Sequence, residues 1–96
     1  MFIYKINVYR ELTKQGWTNQ LLKTTLAEDG KPMLNSTILT KLRRGEMVSL
    51  KTLDKICELL NLQPGDIIEY VSKEQFKMLI QAGYYENRGF APKRNT

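Results

Sequence analysis

The chain has 96 residues, 42% of them hydrophobic and 26% charged, with 15 basic against 10 acidic side chains and a net charge of +5. That length makes one domain with a modest core and little stability to spare. The lack of histidine and the single cysteine, Cys57, exclude an internal disulfide, His-based acid–base or triad catalysis, and an ordinary zinc site.

In chain order, Phe2, Tyr4 and Ile6 alternate with polar or mixed positions, which predicts a short strand. Asn7 then caps a helix over about 8–15, with Val8, Tyr9 and Leu12 on one stripe and Gly16 as its stop. Thr18 caps a second helix over about 19–27, whose apolar positions are Leu21, Leu22 and Leu26. Glu28-Asp29-Gly30-Lys31-Pro32 breaks it. Asn35 caps a third helix at 36–44, with Ile38, Leu39 and Leu42 inward and Gly45 as stop. Ser49 caps a fourth at about 50–61, where Leu50, Leu53, Ile56, Cys57 and Leu60 keep helical spacing and Asn61 ends it.

Pro64-Gly65-Asp66 marks a turn, and Ile67 to Val71 reads as a helical turn running into a strand. The only other strand-like segment is the N-terminal one, so 2–5 is expected to pair with 68–71 and to rest on the helices. Ser72-Lys73-Glu74-Gln75 is a capping box opening a helix over about 73–82, with Phe76, Leu79 and Ile80 on one face. Tyr84 to Thr96, carrying Arg88, Lys93 and Arg94, reads as a mobile basic tail. The Tyr84-Tyr85 pair has no role beyond packing on the last helix. No apolar run approaches the roughly 20 residues of a membrane span, and the N-terminus lacks signal-peptide form. A cytoplasmic location and no membrane partner are expected.

No phosphate-binding glycine loop is present, so the expectation is a protein that is not an enzyme and needs no cofactor or metal. Positive charge suits a polyanion, but it also serves solubility and needs a motif beside it. The third helix supplies one. Its outer face carries Asn35, Ser36, Thr37, Thr40, Lys41 and arginine from Arg43-Arg44, small hydroxyl and amide groups at the start and cations at the end. Small polar side chains at a helix start can approach base edges, while long cations reach bases or phosphates.

Leu34-Asn35-Ser36-Thr37-Ile38-Leu39-Thr40-Lys41-Leu42-Arg43-Arg44-Gly45 resembles the signature of the Cro and lambda-repressor-like (XRE) helix-turn-helix family. Leu34 takes the Val/Ile place, Asn35 the capping Ser place, Thr37 a Ser/Thr place, Leu39 the Ile/Val place and Thr40 the second Ser. Leu42 and Gly45 complete the pattern. Ser49 to Tyr70 is similar to the fourth helix and Pro-Gly-Asp turn of short bacterial and phage regulators. The likeness covers Thr18 to Tyr70. It departs from the family pattern at Ala27–Met33, where the turn is several residues longer than the usual four or so. The extra residues could lengthen the second helix or bulge toward DNA through Lys31.

The resemblance implies a mostly α fold: a lambda-repressor-like bundle of about five helices with a helix-turn-helix, a short two-stranded pairing and an extra C-terminal helix. The DNA-binding domain would span 1–71, and 72–96 would be the C-terminal helix and basic tail. It implies a sequence-specific DNA-binding transcriptional regulator, in all expectation a repressor of phage or plasmid type, reading the major groove of a pseudo-palindromic operator. Thr18, Asn19 and Gln20 would face phosphate. Ser36, Thr37, Thr40 and Lys41 would enter the groove, Asn35 would cap and touch phosphate, and Arg43 and Arg44 would grip the backbone or complete the edge of the site. Phe76, Leu79 and Ile80 would contribute to a homodimer. Plainer readings stand beside these. Thr18 and Asn35 can be caps alone, the polar face can be merely solvated, and Arg43-Arg44 can pair with Glu46. Trp17 and Cys57 read as core residues. The alternative function is a protein-interaction module that binds a repressor, a toxin or another protein partner.

Overall fold

The computed structural model describes residues 1–93; Arg94 lies outside the described residues. Their elements run β1 (Phe2–Tyr4), α1 (Val8–Lys14), α2 (Asn19–Thr24), α3 (Ser36–Arg44), α4 (Leu50–Leu60), α5 (Pro64–Ile67), β2 (Ile68–Tyr70), α6 (Lys73–Gln81) and α7 (Tyr84–Arg88). The helix starts are dictated by side-chain caps. Asn7, Thr18, Asn35, Ser49 and Ser72 each accept a hydrogen bond from the backbone N–H three residues on, at 2.9–3.2 Å. Gln75 returns the favour at α6, its Oε1 accepting from the Ser72 N–H at 2.9 Å. Each such cap satisfies an otherwise orphaned donor and contributes about 1 kcal/mol.

The strands pair antiparallel, with Phe2 opposite Tyr70, Ile3 opposite Glu69 and Tyr4 opposite Ile68, the pairing expected from sequence. A two-stranded ribbon is marginal alone, and here it is anchored from below. Ile3 and Tyr4 enter the core together with Val8 and Leu12 of α1, Leu22 of α2, Leu39 and Leu42 of α3, and Leu53, Ile56 and Leu60 of α4. Leu34 closes the core at the start of α3. Leu50 departs from its expected inward place. It stands at the first position of α4, 82% exposed, ahead of the layer that the rest of the helix buries.

The second helix ends at Thr24, three residues before its expected limit, and Leu26 is 64% exposed rather than on an apolar helix face. The extra residues do not lengthen the helix. They form a small hairpin, with Leu26 bridged to Pro32, the Ala27 N–H bonded to the Lys31 carbonyl at 2.8 Å, and the Met33 N–H bonded to the Thr25 carbonyl at 2.9 Å. Gly30 takes a left-handed φ of +77° and Pro32 restricts Lys31, so helix cannot run through. The hairpin is pinned to α4: the Asp29 carboxylate lies 3.2 Å from Lys55 Nζ and 3.6 Å from Lys51 Nζ, and Lys55 Nζ also donates to the Pro32 carbonyl at 3.3 Å. The Lys31 N–H donating to Asp29, with these two ammonium groups beside it, holds that carboxyl below its ordinary pKa.

The largest departure is at the C-terminus. Residues 84–90 do not behave as a tail. Gly83 and Gly89, both left-handed, bracket α7, and Tyr84 and Phe90 are 2% and 7% exposed inside the core. Tyr84 packs on Phe76, Tyr85 and Phe90, all at ring-centroid distances of 5.1–6.0 Å. Its hydroxyl meets the outer edge of β1, accepting from the Tyr4 N–H at 3.0 Å and donating to the Tyr4 carbonyl at 3.2 Å. The free edge of β1 is thereby closed by one side chain, a way of blunting a template for strand addition.

Burial raises the pKa of both Tyr4 and Tyr84 above the ordinary phenol value. A raised folded-state pKa gives stability that is fully present below the unfolded pKa, about 10 for tyrosine, and lost as pH rises beyond it. The thermal midpoint should therefore fall as pH climbs past about 10. Tyrosinate absorbance followed on the same samples should rise in a step coincident with unfolding. Full tyrosine ionisation in a still-folded protein would contradict this account.

Candidate nucleic-acid interface

Helix α3 is set by two opposite demands on nine residues. Leu39 and Leu42 are buried and Ile38 half-buried. At about 100° per residue this leaves Ser36, Thr37, Thr40, Lys41 and Arg44 on the side away from the core. Ser36 and Thr37 are exposed, while Thr40, Lys41 and Arg44 are partly so. The helix ends in a Schellman arrangement: Gly45 at φ +76°, its N–H bonded to the Leu42 carbonyl, and the Glu46 N–H bonded to the Lys41 carbonyl at 2.9 Å. Lys41, Arg43 and Arg44 in the last turn complement the negative end of the helix dipole.

The chemistry offered by each side chain differs. Thr37 makes no side-chain hydrogen bond among the described residues and is exposed, so its hydroxyl and methyl both face outward. The Thr40 hydroxyl donates to the Ser36 carbonyl at 3.0 Å and so presents lone pairs and a methyl group. The Asn35 Oδ1 is used in capping, which leaves its amide N–H groups outward. No carboxylate lies within 4.0 Å of Lys41 or Arg43 among the described residues. Arg44 stands 3.8 Å from Glu46 with both side chains well exposed, a pair too weak to hold it from another anion.

Arg43 leaves the outer face and lies over the ring of Tyr9 on α1, 5.4 Å from its centroid. The Tyr9 hydroxyl in turn donates to Asn19 Oδ1 at 2.8 Å, so the end of α3 and the start of α2 are joined through one aromatic side chain. Thr18 and Gln20 are exposed beside it and Asn19 partly exposed. Thr18, like Asn35, does act as a cap. The structure thus brings the α2 start and the α3 outer face onto neighbouring elements. Phe76 and Leu79 are turned to their own core, partly buried against it, while Ile80 is 38% exposed. Tyr9 was read from sequence only as part of an apolar stripe. Its second role depends on Arg43 and Asn19, neither of which periodicity connects to it.

Residues 30–73, from the tip of the hairpin through α3, α4, α5 and β2, match the family model of the Cro/C1-type HTH DNA-binding domain. No curated protein and no solved structure matches the chain. The matched segment is a little under half of the protein and is similar to a Cro/C1-type helix-turn-helix DNA-binding domain; α3 lies within it. The helical fold with its small antiparallel sheet accords with that family. No helix is long and apolar enough to cross a membrane among the described residues.

Proposed function

We infer that the protein is a sequence-specific transcriptional regulator that acts as a repressor, occluding promoter DNA by laying α3 in the major groove. The observation that carries this reading is the outer face of α3 inside a Cro/C1-type domain: a free Thr37, small polar groups at its start, and cations without strong partners at its end. Ser36, Thr37, Thr40 and Lys41 read base edges. Thr18, Asn19, Gln20, Asn35, Arg43 and Arg44 hold phosphates. The protein binds as a homodimer, with two copies of α3 about 34 Å apart on a pseudo-palindrome, and Ile80 on α6 contributes to the contact between copies.

Selection from a random duplex library tests the reading. A symmetric enriched site is the expected result, and failure to enrich any site would sink it in favour of a protein-interaction module. On the enriched site, Thr37→Ala should relax preference at one base position by about 1–3 kcal/mol. Lys41→Ala should weaken binding across sequences. Parent-like behaviour by both variants would remove α3 as the reader.

A further inference from the structure

Beside α3 lies a cleft with two guanidinium groups and no acid, lined apart from Arg43 by residues outside the segment that matches the family. Arg10 of α1 and Arg43 of α3 line it together with Tyr9, Thr13 and Gly89. Both arginines are exposed, and no carboxylate approaches either within 4.0 Å among the described residues. Arg43 lies on the Tyr9 ring. Arg10 lies so close to the Cα of Gly89 that any Cβ there would collide with its guanidinium.

The wall behind them is the C-terminal strap at 88–91. The Asn7 side-chain amide donates to the Arg88 carbonyl at 2.9 Å, and the Ala91 N–H donates to the Arg43 carbonyl at 2.9 Å. The strap thus fastens the start of α1 to the end of α3. Tyr9 and Thr13 line this cleft and also the next one along, which Thr18, Asn19 and Gln20 complete. The two clefts make a continuous strip beside the helix assigned to the groove.

We propose that the Arg10–Arg43 cleft is a phosphodiester-binding site that takes the DNA backbone next to the groove read by α3, and that the C-terminal strap exists to build it. This rests on the DNA-binding reading given above. Two planar forks without a competing acid suit the bidentate geometry of a phosphate. Like charges held on one wall without a neutralising partner are otherwise a cost. Arg10, at a position where helical patterning gives only an exposed cation, becomes a backbone contact through a glycine 79 residues further on.

The test is the salt dependence of binding to a duplex from the selected pool, read by fluorescence anisotropy with the full chain. Arg10→Ala should lower the magnitude of the log–log slope by about 0.9, the value of one lost phosphate contact. It should also weaken binding by about tenfold at low salt. Lys77→Ala, which removes the same charge from exposed α6, should leave the slope alone. Arg10→Lys keeps the charge but not the fork, and should keep the slope while losing affinity; it decides the matter if the alanine variant melts early. A parental slope in folded Arg10→Ala overturns the proposal and leaves the DNA-binding reading standing. No duplex binding by the parent overturns both. Inorganic phosphate titrated alone, saturating the Gly89 amide shift while the DNA slope ignores Arg10, would overturn it in favour of a free-anion site.

Discussion

A chain ended at Gly83 should fail to fold, although it keeps the whole segment that matches the Cro/C1-type domain. Truncation removes Tyr84 and Phe90, two nearly fully buried aromatic side chains. Loss of one buried aromatic costs about 3–5 kcal/mol, and a domain of this size has only about 5–14 kcal/mol in total. Urea unfolding followed by circular dichroism reads the result, and a parental midpoint in the shortened chain would refute it. Tyr84→Phe separates the ring from its hydroxyl. The ring contacts remain, but the Tyr4 N–H and carbonyl lose their common partner in a buried place. That variant should fold and be less stable by about 1–3 kcal/mol. The same logic bars truncation of 72–96 as a probe of dimerisation, since any change in mass would follow from unfolding.

What could be seen in the sequence was what neighbouring residues decide. All five side-chain caps stand where Asn7, Thr18, Asn35, Ser49 and Ser72 announced them, because a cap needs only the next turn of its own helix. The left-handed ends at Gly45 and Asn61 were legible for the same reason. The strand pairing was legible because only two β-prone segments competed. The polar face of α3 was visible as composition, and the family signature gave it a direction.

What escaped was set by distant partners. Leu26 keeps helical spacing with Leu22, yet Pro32 pulls it into a bridge and away from the helix. Leu50 fits the α4 stripe but has no layer opposite it. Tyr84 and Phe90 sit among glycine, asparagine and arginine, a composition that reads as loop. Their burial depends on Tyr4 and Gly45, far back in the chain. The two glycines bracketing Tyr84–Arg88 were the one local sign of a short helix there. Arg10 shows the same limit, since its guanidinium lies against Gly89, 79 residues further on.

Gly45 is where the two kinds of constraint meet, and Gly45→Ala should cost about 2–4 kcal/mol. The family signature accounts for glycine here as a helix stop, and the φ of +76° agrees. A left-handed alanine costs roughly 1–2 kcal/mol. The second part of the cost comes from outside the signature. A Cβ at this position would stand 2.9 Å from both Cγ and Cδ2 of the Phe90 ring. That ring cannot swing away, because it is packed on Tyr4 and Tyr84 in the core. A double-mutant cycle separates the two parts. Phe90→Leu frees space at its own cost in packing, so the combination with Gly45→Ala should be less destabilised than the sum of the single changes, with a coupling of about 0.5–2 kcal/mol. Strict additivity in urea unfolding would mean that only the backbone matters at Gly45. Coupling would mean that the end of α3 and the C-terminal strap constrain each other, through a residue whose glycine the helix alone already required.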